Sequence, residues 1–128
     1  MKTHLTVALS ILTGVAIGVV AIQGLNAQAK PKAYTVTELE TLDAAAQATY
    51  GPAVTAAQKA AGGRPFGTAG GKVVSMVGTA PTRVAIIEWD SLEKAQAFFS
   101  SPAFKDLEPQ RDKAVKAIRR YAVEAVTP

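Results

Sequence analysis

The side chains able to do chemistry in this 128-residue chain are of few kinds. The only histidine is His4, and cysteine is absent. Histidine-ligated haem, thiolate metal sites, Ser-His-Asp triads and cysteine nucleophiles all require an imidazole or a thiol, so these functions are excluded for the chain beyond residue 4. The sequence predicts no metal and no cofactor. Proton abstraction by a carboxylate remains open as a catalytic mechanism.

Glu88 is the carboxylate of most interest because it lies in a run of otherwise apolar residues. If Glu88 faced a pocket, desolvation would raise its pKa and could make it a general base. The alternative is a carboxylate at a strand end, which is solvated or paired with a nearby arginine. Solvation or pairing is the usual state of acidic side chains. The arginines considered as partners are Arg64, Arg83 and Arg111.

The elements that must position Glu88 are clearest in the middle of the chain. Residues 84–89 are β-branched, aromatic or apolar at nearly every position, which predicts a strand. Asp90 or Ser91 then caps a helix, and Glu93 follows Asp90 at the spacing of a capping box. Pro102 begins a second short helical piece, since proline is favoured at the first helical position.

The remaining elements follow from the same kinds of signal. The glycine-rich residues 64–71 lack the spacing of a phosphate-binding loop and are predicted to be a connection. Glycine and proline should kink or split the first helix at Gly51-Pro52 and end it at Gly62-Gly63. The other predicted elements are a strand at 33–38, a helix beginning at Thr41 or Asp43, a strand at 72–78, a helix at 110–118 and a strand at 120–126.

This β-α-β-β-α-β order predicts an α+β fold with a four-stranded antiparallel sheet and both helices on one face, the split βαβ arrangement. Residues 79–82 form a short link between the second and third strands, which should therefore pair. On the third strand Val84 and Ile86 point one way, and Ala85, Ile87 and Trp89 point the other. Both faces are thus apolar, and helices cover only one. We predict a homodimer that buries the other face.

The same topology places the end of the third strand beside the start of the first. Glu88 and Trp89 should therefore lie near Tyr34. Glu88 and Tyr34 are the catalytic candidates. Glu124 is a second carboxylate in an otherwise apolar strand. The predicted ligand is a small apolar organic molecule, and the predicted ligand-binding residues are Tyr34, Trp89, Phe98 and Glu124.

The first 29 residues have the pattern of a signal peptide. A positive charge precedes the apolar residues 5–22, and a small-x-small pattern ends at Ala29. We predict Sec export, cleavage after Ala29, and a periplasmic or secreted protein. The alternative is a retained segment that anchors the chain in the membrane. Residues 30–32 would form a tether and residues 33–128 the domain. Thirteen basic and ten acidic residues remain beyond the signal, and no nucleic-acid partner is predicted.

Several segments resemble the DUF1330 family, and together they span most of the chain beyond the signal. They are residues 70–74, 83–88, 90–95, 101–104 and 107–113. The resemblance implies a small dimeric α+β barrel of ferredoxin-like topology, related in fold to cofactor-free monooxygenases, with no established reaction. The chain departs from the family at Ala69, where many members carry arginine or a bulky residue, and at Ala125, where many carry glycine.

Three functions are compatible with these residues. The first is a dimeric small-molecule-binding or accessory protein. The second is a cofactor-independent enzyme of oxygenase or isomerase type that uses Glu88 and Tyr34. The third is a structural module whose open sheet face meets a different protein. The sequence ranks the binding or accessory protein first.

Overall fold

The computed structural model describes residues 30–126, and its compact unit begins at Pro31. The predicted signal peptide lies outside the described residues. Within residues 30–126, no helix is long and apolar enough to cross a bilayer. The elements are β1 (Ala33–Thr41), α1 (Ala44–Ala60), β2 (Arg64–Pro65), a 3₁₀ turn (Thr68–Gly70), β3 (Arg83–Trp89), α2 (Leu92–Phe99), α3 (Pro102–Lys105), α4 (Glu108–Ala114) and β4 (Val115–Glu124).

The strands form one antiparallel sheet in the order β2-β3-β1-β4. β1 lies between β3 and β4, and Tyr34 is opposite Glu88 on one side and Val123 on the other. The four-stranded antiparallel α+β architecture predicted from the sequence is confirmed, with the ferredoxin-like strand order.

The second strand is not where the sequence predicted it. Residues 72–78 lie outside the sheet, and Val74, Met76 and Val77 are 64%, 90% and 96% exposed. The edge of β3 is taken instead by β2, with Arg64 opposite Glu88 and the Phe66 amide donating to the Ile86 carbonyl at 3.0 Å. Because that edge is occupied, residues 79–82 do not link two paired strands.

Helix α4 also ends earlier than predicted. It ends at Ala114, and β4 begins at Val115, whereas a helix had been predicted through residue 118. The reason is the length of β1, which extends to Thr41 and pairs Thr41 with Val115. Val115 is buried against Tyr50, so strand pairing and packing override the local helical pattern.

The helix ends show which predicted caps form. Asp43 caps α1 by accepting from the Ala46 amide at 2.7 Å. α1 then continues through Pro52 as one helix, so of the two predicted alternatives, a kink or a split at Gly51-Pro52, the split is wrong. Ser91 caps α2 by accepting from the Lys94 amide at 3.2 Å, whereas Asp90 accepts from Arg64 and leaves the predicted capping box unformed.

The core lies between the helices and one face of the sheet, which we call the inner face. Trp89 is fully buried there and packs with Ile87 and Phe98. A second cluster contains Tyr50 and Val115. α1 and α2 both pack on this face, as their contacts with the Trp89 cluster show.

The opposite face of the sheet, the outer face, bears no helix among the described residues. Its central cross-strand row is Ile86, Val36 and Tyr121, with Phe66 beside Ile86. Charged pairs flank this row at both ends. The outer face consists of Tyr34, Val36, Glu38, Phe66, Val84, Ile86, Glu88, Arg119, Tyr121 and Val123.

Candidate functional site

The predicted catalytic pair lies in a cluster of charges at one end of the outer face. Glu88 Oε1 accepts from Arg64 Nε at 2.7 Å and from Lys32 Nζ at 3.1 Å, and Glu88 Oε2 accepts from the Tyr34 hydroxyl at 3.0 Å. Arg64 also donates from Nη2 to Asp90 at 2.8 Å. The antiparallel register of β1 and β3 thus brings Glu88 and Tyr34 together, as the sequence predicted.

The electrostatics of the cluster keep Glu88 ionised. Hydrogen bonds from Arg64, then Lys32 and Tyr34, lower the pKa of Glu88 from 4.5 to about 2. The hydrogen bond to Glu88 raises the pKa of Tyr34, so the phenol stays protonated. Glu88 therefore lacks the raised pKa expected of a general base. The alternative prediction, a carboxylate paired with Arg64, is what the structure shows.

We expect this cluster to make folding pH-dependent in acid. Because the folded-state pKa of Glu88 is depressed, its stabilisation is present above about pH 4.5 and is lost as the pH falls towards about 2. Urea unfolding of the wild type and Glu88→Gln across this range should show the gap in unfolding free energy closing as the pH falls. Glu124→Gln, which removes an exposed carboxylate, is the control and should retain the wild-type pH dependence.

The four predicted ligand-binding residues do not line one pocket. Trp89 and Phe98 are core residues of the inner face, with exposures of 0% and 2%. Tyr34 lies on the outer face, because neighbouring strand residues alternate between faces. Glu124 is exposed at the end of β4, opposite Ala33.

A cavity that the sequence did not predict lies between α1 and the inner face. Its volume is about 120 Å³. Val54 and Ile87 contribute apolar wall, and the 3₁₀ turn after β2 closes one side. The polar side chains of this inner cavity are Thr37, Gln47, Tyr50, Thr55, Gln58, Thr68, Arg83 and Arg120.

Arg120 reaches the inner cavity from the edge strand β4. Its Nε donates to Thr37 Oγ1 at 3.1 Å. Its guanidinium carbon lies 4.5 Å from the ring centroid of Phe99 and 5.0 Å from that of Phe104, which are cation–π distances. Desolvation of the guanidinium lowers the pKa of Arg120, although the residue as a whole is exposed on the edge strand. It remains a cation.

Two further polar groups line the same cavity as Arg120 and have no hydrogen-bond partner among residues 30–126. The Oε1 atom of Gln47 is buried and has no hydrogen-bond partner in the described part of the chain. The Tyr50 side chain is 6% exposed, and no hydrogen bond from its hydroxyl joins it to another residue of the 30–126 segment. Burial raises the pKa of Tyr50, so its hydroxyl is a donor at neutral pH. Together with Arg120, these groups offer two donors and one acceptor to a bound molecule.

Metal binding has no comparable basis in the geometry. Across the described residues, no three His, Asp or Glu side chains lie close enough together to hold an ion. The acidic side chains at the Glu88 cluster are instead occupied by arginine and lysine.

The fold and its elements define a small α+β protein of ferredoxin-like topology. The model of the DUF1330 family, described as a domain of unknown function, matches residues 32–126, and the chain belongs to this family. No functionally curated protein matches the chain.

Solved structures share the architecture. The chain is similar to RPA0582, a protein of unknown function from Rhodopseudomonas palustris, with 17% identity and a TM-score of 0.62 over 85% of this chain and 93% of that one. The methylated form of RPA0582 gives 17% identity and 0.61, over 85% of this chain and 91% of the other. A protein named as an antibiotic biosynthesis monooxygenase from Chloroflexus aurantiacus J-10-fl has 15% sequence identity and a TM-score of 0.43. The match covers 76% of this chain and 95% of that one.

Proposed function

We propose that this protein binds a small organic molecule in the inner cavity. The observation that carries the proposal is the set of polar atoms left unused there, above all Gln47 Oε1. A buried polar atom without a partner costs about 1–3 kcal/mol. A ligand that supplies the missing partner removes this cost, which gives the unpaired amide a functional explanation.

The size of the inner cavity limits the ligand. An apolar cavity of about 150 Å³ in another protein holds benzene. The inner cavity, at about 120 Å³, suits a molecule somewhat smaller than benzene. Its lining is mixed, with Val54 and Ile87 beside Tyr50 and Arg120, so the ligand should have both apolar and polar parts.

Filling the inner cavity tests the proposal. Ala85 lies on the cavity wall, and Ala85→Leu should occupy the space that the ligand uses. Native mass spectrometry of protein purified from its own host should show a retained small molecule on the wild type and none on Ala85→Leu. Ala97→Leu, which adds the same atoms at an exposed helix position, should retain the molecule.

Two results would contradict the proposal. One is a wild-type protein that retains nothing and whose thermal stability is unchanged by a library of small neutral and charged compounds. The other is equal retention by Ala85→Leu and the wild type, since the molecule would then be bound elsewhere.

We propose further that the protein acts as a homodimer joined through the outer face. Val36, Ile86 and Tyr121 form an apolar row across three strands, and Tyr121 is half-exposed. The charges at both ends are already neutralised, at one end by the bidentate pair of Arg119 with Glu38 at 2.6 and 2.8 Å. A second copy offers the same combination of apolar centre and paired rim, as a two-fold interface requires.

Catalysis by Glu88 receives no support from the geometry. With its pKa lowered to about 2 and its oxygens bonded to Arg64, Lys32 and Tyr34, Glu88 is a weak base whose lone pairs are engaged. We therefore propose a binding function, not a cofactor-independent enzyme based on this carboxylate.

A further inference from the structure

We propose that the ligand of the inner cavity is a small organic carboxylate whose charge is bound by Arg120. This inference rests on the proposed binding function and specifies its ligand class. It is carried by the juxtaposition, around one cavity, of an apolar wall, a phenol and two arginines that have no carboxylate partner in the part of the chain that the structure describes.

The charged side chains that line the cavity are all positive. Arg83 and Arg120 both line the cavity, and among residues 30–126 no Asp or Glu does. Neither arginine forms an ion pair within the described residues, whereas the other arginines of this segment are all paired with carboxylates. Those paired arginines are Arg64, Arg111 and Arg119. An anionic group in the cavity would supply the counter-charge that the protein does not.

The orientation of Arg120 favours a planar acid group. Thr37 holds Nε, and the rings of Phe99 and Phe104 pack against the guanidinium. No residue of the described segment accepts from the two terminal nitrogens, which therefore remain available. A guanidinium presents its N–H groups as a rigid fork that matches the two oxygens of a carboxylate.

The rest of the lining favours an organic ion over an inorganic one. Leu39, Val54 and Ile87 would pack against carbon atoms, and a bare phosphate or sulfate would leave this surface without a contact. The Tyr50 hydroxyl can donate to the same anion. Gln47 Oε1 needs a donor, which a hydroxyl group on the ligand would provide. A hydroxy acid should thus bind better than the plain acid.

Calorimetry with a matched set of probes tests the ligand class. The probes are acetate, propanoate, 2-hydroxypropanoate, neutral propanamide and inorganic phosphate, titrated into the purified full chain. We expect 2-hydroxypropanoate to bind most tightly and propanamide at least about tenfold more weakly than propanoate, because charge-assisted hydrogen bonds contribute about 1.5–3 kcal/mol.

Substitution of Arg120 tests the site itself. Arg120→Gln should weaken carboxylate binding by about 10-fold to 100-fold, and Arg120→Lys should restore only part of it because the planar fork is lost. Lys116→Gln removes the same charge from an exposed position of β4 and should bind as the wild type does. Urea unfolding checks that each variant is folded. If Arg120→Gln does not fold, Arg83→Gln supplies the same test from β3.

The outcomes separate this inference from the proposed function. Carboxylate binding that survives both arginine substitutions, or equal binding of propanamide and propanoate, would overturn the carboxylate assignment and leave a small-molecule site in place. Tight binding of phosphate with no binding of the organic acids would also overturn it. If no probe binds and native mass spectrometry finds no retained molecule, the binding function itself fails.

Discussion

Replacing Trp89 with alanine is expected to lower the free energy of unfolding by about 3–5 kcal/mol, the range for deleting a large aromatic from a core. Trp89 has no exposed surface. Its ring centroid lies 5.3 Å from that of Phe98 and 6.3 Å from that of Phe99. The substitution therefore removes the centre of the aromatic cluster that joins β3 to α2.

The indole nitrogen adds to the loss. Trp89 Nε1 donates to Thr35 Oγ1 at 3.0 Å in the buried interior, so Trp89→Phe should be destabilising too, by less than Trp89→Ala. Urea unfolding followed by circular dichroism gives the comparison. Met76→Ala removes a large side chain from an exposed position and should change stability little. A Trp89→Ala variant as stable as Met76→Ala would contradict the assignment of Trp89 to the core.

The prediction of β3 succeeded because its local and tertiary preferences agree. Residues 84–89 favour a strand by composition, and the sheet places them between β1 and β2. Residues 72–78 have similar composition but no free partner, since β2 occupies the edge of β3. Composition indicates which secondary structure a segment can form, whereas strand pairing also requires a sheet edge that no other segment occupies.

The residue at which β4 begins could not be derived from local sequence patterns. Residues 115–118 fit an amphipathic helix as well as a strand. These residues form a strand because β1, nine residues long, offers pairing partners as far as Thr41. A contact between residues 41 and 115 is too distant in sequence for periodicity to reveal.

One part of the candidate site could be predicted from the sequence and the other could not. The Tyr34–Glu88 contact follows from topology alone, and the structure has it. Grouping Trp89 with Tyr34 neglected strand alternation, which places Trp89 and Glu88 on opposite faces. The inner cavity is lined by residues from all four strands, three helices and the 3₁₀ turn, and no sequence motif predicts such a site. Strand alternation is the one sequence signal for the cavity. In β4 it places Arg120 on the same face as Ala122, whereas Arg119, which pairs with Glu38, lies on the opposite face.

A charge at the centre of the outer face should separate the proposed dimer. Val36 lies between Ile86 and Tyr121 on the middle strand and is only partly buried in one copy. In the monomer Val36→Lys can extend its ammonium into water, so the fold should persist. In a two-fold dimer both copies would bury a lysine near the axis, which should raise the dissociation constant about a hundredfold or more.

Analytical ultracentrifugation across a concentration series measures this effect. The wild type should sediment as a dimer and Val36→Lys as a monomer of unchanged circular dichroism. Leu42→Lys makes a similar change at an exposed apolar residue beyond the end of β1 and should remain dimeric. A monomeric wild type would refute the homodimer. A dimer that tolerates Val36→Lys would show that the copies join through another surface, and the apolar row of the outer face would then need a different occupant.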